Sequence, residues 1–458
     1  MIALAALPMP LALLTIFLGS LLLGSLVNWA IYQLAWNPRE ISPWGPTPDK
    51  APARHWTDRI PLLGWWGLRR EHAIHGRGFW VRPLLIELAM GFGLVGLYVW
   101  VVLNQRLIIP QVEDILPLPF GLLNVVPSSW TLATFFSFAV LIVLMTAASF
   151  IDIDEKIIPD EITVPGTLLG LLLATLLPLG LLPHVDIRST PEVVSTPIAL
   201  SPVAAGALTS GFTMFVEPVT LAAPRTWPVA ASSWKYLAVG QACWWLWCFA
   251  LTPRIWRGRR GVCRGLSVLL RRVARVLTQR PLGVIAWPGS LAVAVVWWWG
   301  GAVWIGLLTS LLGLAVSGGL VWGVRLVGTA ALQREAMGFG DVTLMMMVGT
   351  FLGWQAGIII FFIAPFAGLI VGIVQFVSRS DDVIPYGPFL CLGALLVMVR
   401  WADVWNRSQF AFEAGWLVPA ILIVCIVLLG LMLAVWQQIK VRLWSDDARM
   451  TNDRGRSA

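Results

Sequence analysis

This sequence has little charge. Of its 458 residues only 12% are Asp, Glu, Lys or Arg, against about 25% in a soluble domain, while 58% are hydrophobic and the mean hydropathy is +0.79. That excludes a soluble globular chain and leaves an all-α polytopic membrane protein, because long apolar runs satisfy their backbone in lipid only as helices. Cysteine is scarce too. Cys243, Cys248, Cys263, Cys391 and Cys425 lie mostly in or beside apolar runs and include no C-x-x-C pair, which excludes a zinc ribbon or a disulfide framework. Lys and Arg are missing from the first 38 residues. The opening apolar run therefore lacks the basic n-region of a cleaved signal and reads as a retained first span. The net charge of +8 could serve nucleic acid, but the basic residues are grouped between apolar runs. Such grouping is the mark of positive-inside topology, and no nucleic-acid partner is expected.

An apolar run of about 20 residues spans a bilayer as a helix. Spans are expected near 11–35, 83–104, 131–151, 162–182, 236–252, 283–304, 305–328, 342–354, 356–377, 387–401 and 415–437, with the total between 9 and 11. Residues 36–82 carry eight basic side chains and residues 254–280 nine arginines, and the C-terminal tail adds Lys440, Arg442, Arg449, Arg454 and Arg456. Placing all three segments in the cytoplasm requires an odd number of spans and an extracytoplasmic N-terminus. The expected layout is a first helix (1–35), a cytoplasmic loop domain (36–82), a membrane core (83–182), an insertion (183–325), a second membrane core (326–437) and a cytoplasmic tail (438–458). The Pro/Ser/Thr/Val-rich region 183–235 within the insertion reads as an irregular extracytoplasmic loop.

The acids that do occur are concentrated. In "ASFIDIDEKIIPDEITVPG" (148–166), Asp152, Asp154, Glu155, Asp160 and Glu161 interrupt a chain with no charge for twenty residues on either side. Asp160 follows Pro159 just before a span, where a carboxylate caps the free N–H groups of the first turn. Asp154, Glu155 and Lys156 read as a solvated turn, and Glu87, expected in the first turn of the second span, as a complement to the helix dipole. Asp152 has no such explanation. The charge pattern brings a second aspartate to the same membrane face, in "QREAMGFGDVTLMMMVG". There Gly338 and Gly340 permit a close backbone approach beside Asp341, itself at a helix N-terminus that favours its ionised form. Two carboxylates brought together near lipid resist ionising together, so one keeps a proton while the other can activate water, the working arrangement of aspartic proteases.

These segments resemble those of the prepilin peptidases, the type IV leader peptidase family of G-x-G-D intramembrane aspartic proteases in bacterial inner membranes. The resemblance runs through "FLGSLLLGSLVNWAIYQL", "DRIPLLGWWGLRR" with "RPLLIEL", "IDIDEKIIPDEITVPG", "GFGDVTLMMMVGTFLGW" and "VIPYGPFLCLGALL", in order. It implies Asp152 and Asp341 as the catalytic pair, Gly338 and Gly340 as substrate-binding, the active site at the cytoplasmic face, and prepilin or pseudopilin substrates with a short basic leader. Proteolysis then needs no cofactor. Many family members also methylate the new N-terminus with S-adenosylmethionine, an activity linked to the loop after the first span.

The chain departs from the family pattern in three places. The two C-x-x-C pairs common in that loop are absent, and the second would fall on His72 and His75; a zinc site there would need two more ligands, such as His55 and an Asp. Thr343 stands where a Lys is common. The two aspartates are separated by more chain than is usual, the surplus being 183–325. Rival readings are an ion-coupled transporter, whose paths also use acids at helix ends, and a catalytically silent membrane scaffold.

Overall fold

The computed structural model describes residues 7–39, 41–45, 52, 54–111, 126–189, 212–225, 233–252, 282–333, 335–378, 385–415 and 417–454. The arginine-rich segment 254–280 lies outside them. Apolar runs become helices α1 (Met9–Gln33), α2 (Val81–Tyr98, closing in a π-helical turn to Leu103), α3 (Ser128–Glu155) and α4 (Asp160–Leu176). After two strands, β1 (Pro183–Ser189) and β2 (Phe212–Pro218), come α5 (Trp234–Ala250), α6 (Leu282–Trp299) and α7 (Gly301–Leu332). The chain ends with α8 (Phe339–Ser378), α9 (Gly387–Val399), α10 (Trp401–Glu413) and α11 (Leu417–Arg454), the last running through the expected tail.

Among the described residues six helices are long and apolar enough to cross a membrane, or seven if α9 and α10, bent by 95° at Arg400, form one broken span. This is an all-α polytopic membrane protein. Each of the eleven apolar segments expected from sequence coincides with a helix or with part of one; two of them, 342–354 and 356–377, fall on α8. Helix α8 is not straight. Gly353 is non-helical (φ 82, ψ 174), and a Cβ on Gly349 or on Gly357 would strike the same Ser317 hydroxyl. Eight residues span about 12 Å along a straight helix, so the chain doubles back at Gly353, whose positive φ only glycine adopts without strain. Residues 339–352 and 354–378 are therefore two antiparallel legs.

The helices pack around an apolar core that includes Leu132, Leu141, Leu308, Leu311 and Met345–Val348, with α10 turned 95° from α9. The C-terminal ends of α1, α3 and α7 and the N-terminal ends of α2, α4, α8 and α9 gather at one end, which contains both Asp152 and Asp341. At the opposite end, the described residues 183–189 and 212–218 depart from the irregular loop expected. Strands β1 and β2 pair antiparallel, Pro183 against Pro218 through Ser189 against Phe212. They are covered by α10, whose Trp401 Nε1 donates to Pro183 O at 2.6 Å, and the α8 reversal is tied to the same region by Gln355 Nε2 donating to Thr220 O at 2.8 Å.

Between α1 and α2, the loop over the aspartate end folds around charge. Arg54 makes a two-pronged pair with Glu71 (both 2.9 Å) and donates to Ser42 O, while Arg70 pairs with Asp58. Both partners in the first pair are nearly buried, so the fork satisfies charges that would otherwise be costly. Glu87 corrects the first-turn reading: it is the seventh residue of α2, fully buried, and accepts from Ser25 Oγ (2.6 Å), Leu62 N (2.6 Å) and Trp65 Nε1 (3.0 Å). It joins α1, the loop and α2 at a single carboxylate.

Candidate active site

Asp152 lies in the last turn of α3 and Asp341 in the first turn of α8. Helix α3 continues past Asp152 to Glu155 and stops where Lys156 turns left-handed (φ 59, ψ 30) and donates its N–H to Asp152 O at 2.8 Å. Asp154 and Glu155 are thus helical, which corrects the solvated turn expected. Asp154 takes Arg82 on both oxygens (2.8 and 2.9 Å) and Arg39 at 3.7 Å, while Glu155 accepts the backbone N–H groups of Trp36 (2.6 Å) and Asn37 (2.9 Å). Two acids therefore fasten the Asp152 end of α3 to the chain leaving α1. Asp160 is also corrected. Pro159 is the N-cap of α4, and Asp160, first in the helix, makes no capping hydrogen bond.

The four residues between α3 and α4 place Ile158 as a wedge. Its side chain abuts Gly340 at the start of α8 and Gly387 at the start of α9, where an added Cβ would come within 2.9 Å in each case. A Cβ on Gly387 would also overlap the Asp152 carboxylate, toward which the Gly387 N–H is directed. The absence of side chains at 340 and 387 thus lets α8 and α9 close on Asp152. Gly340 is accounted for by this packing. A Cβ on Gly338 would meet nothing nearer than the Asp341 carboxylate at 3.6 Å.

Asp341 is the third residue of its helix and accepts the N–H of Gly338, half of a capping box. It lies close enough to Asp152 for the two charges to act on each other. Asp152 is 3% and Asp341 7% exposed, neither is ion-paired among the described residues, and Asp152 Oδ2 is buried without a hydrogen-bond partner of normal geometry. Unpaired carboxylates in such surroundings are costly, and structural proteins avoid them. A pair of them presents what water activation needs, an acceptor and a donor side by side.

The structure adds residues to which no role had been given. Tyr386 lies within electrostatic reach of Asp341, and the Cys391 thiol, bonded with Ser149, within reach of both aspartates. Both belong to "VIPYGPFLCLGALL", where a Gly-Pro at the start of an apolar run was the available signal. His72 and His75 lie in a short helical turn of the loop (His72–His75), away from the aspartates in sequence and packing. His72 is exposed, whereas His75 approaches Glu71 at 3.4 Å and packs on Phe79. Among the described residues no three His, Cys, Asp or Glu side chains are grouped to hold a metal ion.

Comparison with known proteins points to the same segments. A model of the type IV leader peptidase family matches residues 139–216 and 275–373, which include both aspartates. The prepilin leader peptidase/N-methyltransferase of Pseudomonas aeruginosa is 29% identical over 124 residues, 24% of this chain and 42% of that protein. Its counterpart in Aeromonas salmonicida is 29% identical over 152 residues, 31% of this chain and 50% of that protein, and that of Legionella pneumophila 37% over 73 residues, 15% and 25%. The chain thus spans half or less of the length of these curated relatives. No solved structure matches it. Both aspartate-bearing segments, on an all-α membrane bundle, lie inside the regions that are similar to the type IV leader peptidase family.

Proposed function

We propose that this protein is an aspartic endopeptidase of the bacterial inner membrane that removes the basic leader from prepilins or pseudopilins. The observation that carries the reading is the meeting of two buried, unpaired carboxylates, Asp152 and Asp341, at one end of an apolar bundle. The aspartate end faces the cytoplasm, the side on which the positive-inside rule puts residues 36–82, and the N-terminus lies outside. A water between the aspartates attacks the peptide carbonyl that follows the leader. One carboxylate takes the water's proton while the other, protonated, first polarises the carbonyl and then gives its proton to the leaving amine. The substrate backbone approaches on the Gly338 side, the open one of the two glycines.

The test uses Asp152→Asn and Asp341→Asn, each in membranes with a prepilin carrying its leader. Both variants should insert normally and process at less than about one-thousandth of the wild-type rate, as when a group acting in the chemical step is removed. Normal cleavage by either would dismiss the pair. Proton-coupled flux in vesicles, without cleavage by the wild type, would favour a transporter.

The relatives' names also include N-methyltransferase. S-adenosylmethionine does not fit the cleft over Glu87 as it stands: lined by Ser25, Asn28, Trp44, Trp65 and Glu87, it has a volume of about 10 Å³, room for about one water. The mass of the mature pilin's N-terminus reads that activity directly.

A further inference from the structure

Helix α7 carries a single charge between Gly301 and Gln333, Arg325. A cation at such a depth usually extends along the helix to reach polar headgroups. Arg325 instead turns onto the segment that leads into α8. Its Nε donates to Met337 O at 2.9 Å, its Nη2 to Glu335 at 2.7 Å, and its guanidinium lies 5.6 Å from the centre of the Phe339 ring. The arginine side chain is 17% exposed and Glu335 77%, so the bond to the carbonyl is the sheltered one.

That carbonyl belongs to the peptide group whose other face is the Gly338 N–H, the donor to the Asp341 carboxylate. A peptide is planar and rigid. A group that fixes the direction of Met337 C=O therefore fixes the direction in which Gly338 N–H points, and a charged donor on the oxygen strengthens the bond made by the nitrogen. We propose that Arg325 is a positioning residue for Asp341, acting through the Met337–Gly338 peptide. The proposal rests on Asp341 being one of the proteolytic pair. The segment has separate anchors, because Ala336 N donates to Thr329 Oγ1 at 3.3 Å and Ala336 packs against Gly328. Removing Arg325 thus leaves the segment docked on α7 while its Met337–Gly338 peptide is free to rotate.

Two measurements on the full-length protein test this. In prepilin cleavage, Arg325→Ala should lower kcat by about 30- to 100-fold with KM within about 3-fold, the signature of a displaced group and not of lost binding. Arg325→Lys, which can still reach the carbonyl, should recover kcat to within about 5-fold of wild type, and Glu335→Gln should stay within about 2-fold, since an exposed ion pair contributes little. In amide hydrogen exchange, Arg325→Ala should speed exchange in peptides covering 335–341 by about 10-fold while the rest of α7 and α8 keeps wild-type protection. A wild-type kcat in Arg325→Ala, or unchanged exchange at 335–341, overturns the proposal. So does accelerated exchange throughout α7 and α8 with a raised KM, which would make Arg325 a general packing residue. If the wild type cleaves no prepilin, the peptidase reading fails by itself, and the exchange measurement still decides whether Arg325 fixes the peptide.

Discussion

Asp152 closes a helix and Asp341 opens one, and each is held in place differently. The Asp152 end of α3 is fastened from outside its own helix by ion pairs at the solvent edge: Arg82 and Arg39 on Asp154, with side-chain exposures of 33% and 51% for the arginines. The Asp341 end of α8 is held by backbone groups and by glycines that admit close packing, Gly338 N–H on the carboxylate and Gly340 against Ile158. Exposed ion pairs are weak and screened by salt, whereas buried packing is neither. The contrast teaches that one aspartate is coupled through salt-sensitive ion pairs to Arg39 and Arg82, and the other to the packed centre of the bundle.

Substitutions can break or sharpen that contrast. The largest effect is expected from Gly387→Ala, which puts a methyl into the space of the Asp152 carboxylate and against Ile158. Overpacking of this kind costs about 1–3 kcal/mol, and the displaced carboxylate should slow prepilin cleavage by about 100-fold. Cleavage at the wild-type rate would mean that the aspartates tolerate more movement than the packing allows. Next comes Glu87→Ala, which leaves the donors on Ser25, Leu62 and Trp65 without an acceptor. It should cost about 3 kcal/mol or more, read as increased proteolysis of the 36–82 loop in membranes, with Glu87→Gln closer to wild type. If the loop stays resistant, Glu87 is not the joint between α1 and α2.

Arg82→Ala should reduce activity only a few-fold and stability by less than about 1 kcal/mol. Its sharper sign is salt: wild-type activity should fall with ionic strength toward that of the variant, whereas Gly387→Ala should show no such convergence. The smallest expected effect is that of chelation. Treatment with EDTA should leave cleavage unchanged, because His72 and His75 have no further ligands grouped with them among the described residues. Loss of activity on chelation, restored by zinc, would reverse that reading.

How much could be read in advance depended on distance along the chain. The helices were legible because each apolar run must satisfy its own backbone in lipid, whatever lies beside it. The two legs of α8 were legible as separate apolar segments, 342–354 and 356–377, but the reversal at Gly353 was not, since that glycine lay inside the first of them. The strand pair at 183–189 and 212–218 was not legible either, since the Pro/Ser/Thr/Val-rich region containing it resembles loop and its partners lie 23 to 35 residues apart in the chain. Local readings of single acids fared worst. Asp160 was given a cap that Pro159 occupies, Asp154 and Glu155 were given to water when they hold α2 and the chain leaving α1, and Glu87 was given to a helix dipole when it gathers three segments.

By itself, then, the sequence determined that this is a helical membrane protein, roughly where its helices run, and that acids are concentrated at two of their ends, because the free energy of inserting a segment into a bilayer depends mainly on that segment's own residues. Which acid meets which partner was decided only in three dimensions. Asp152 faces Gly387 and Asp341 while its neighbour Asp154 faces Arg82, two outcomes separated by half a turn of one helix, and no local rule assigns them, because the partner of a buried charge is whatever the distant chain brings within a few ångströms of it.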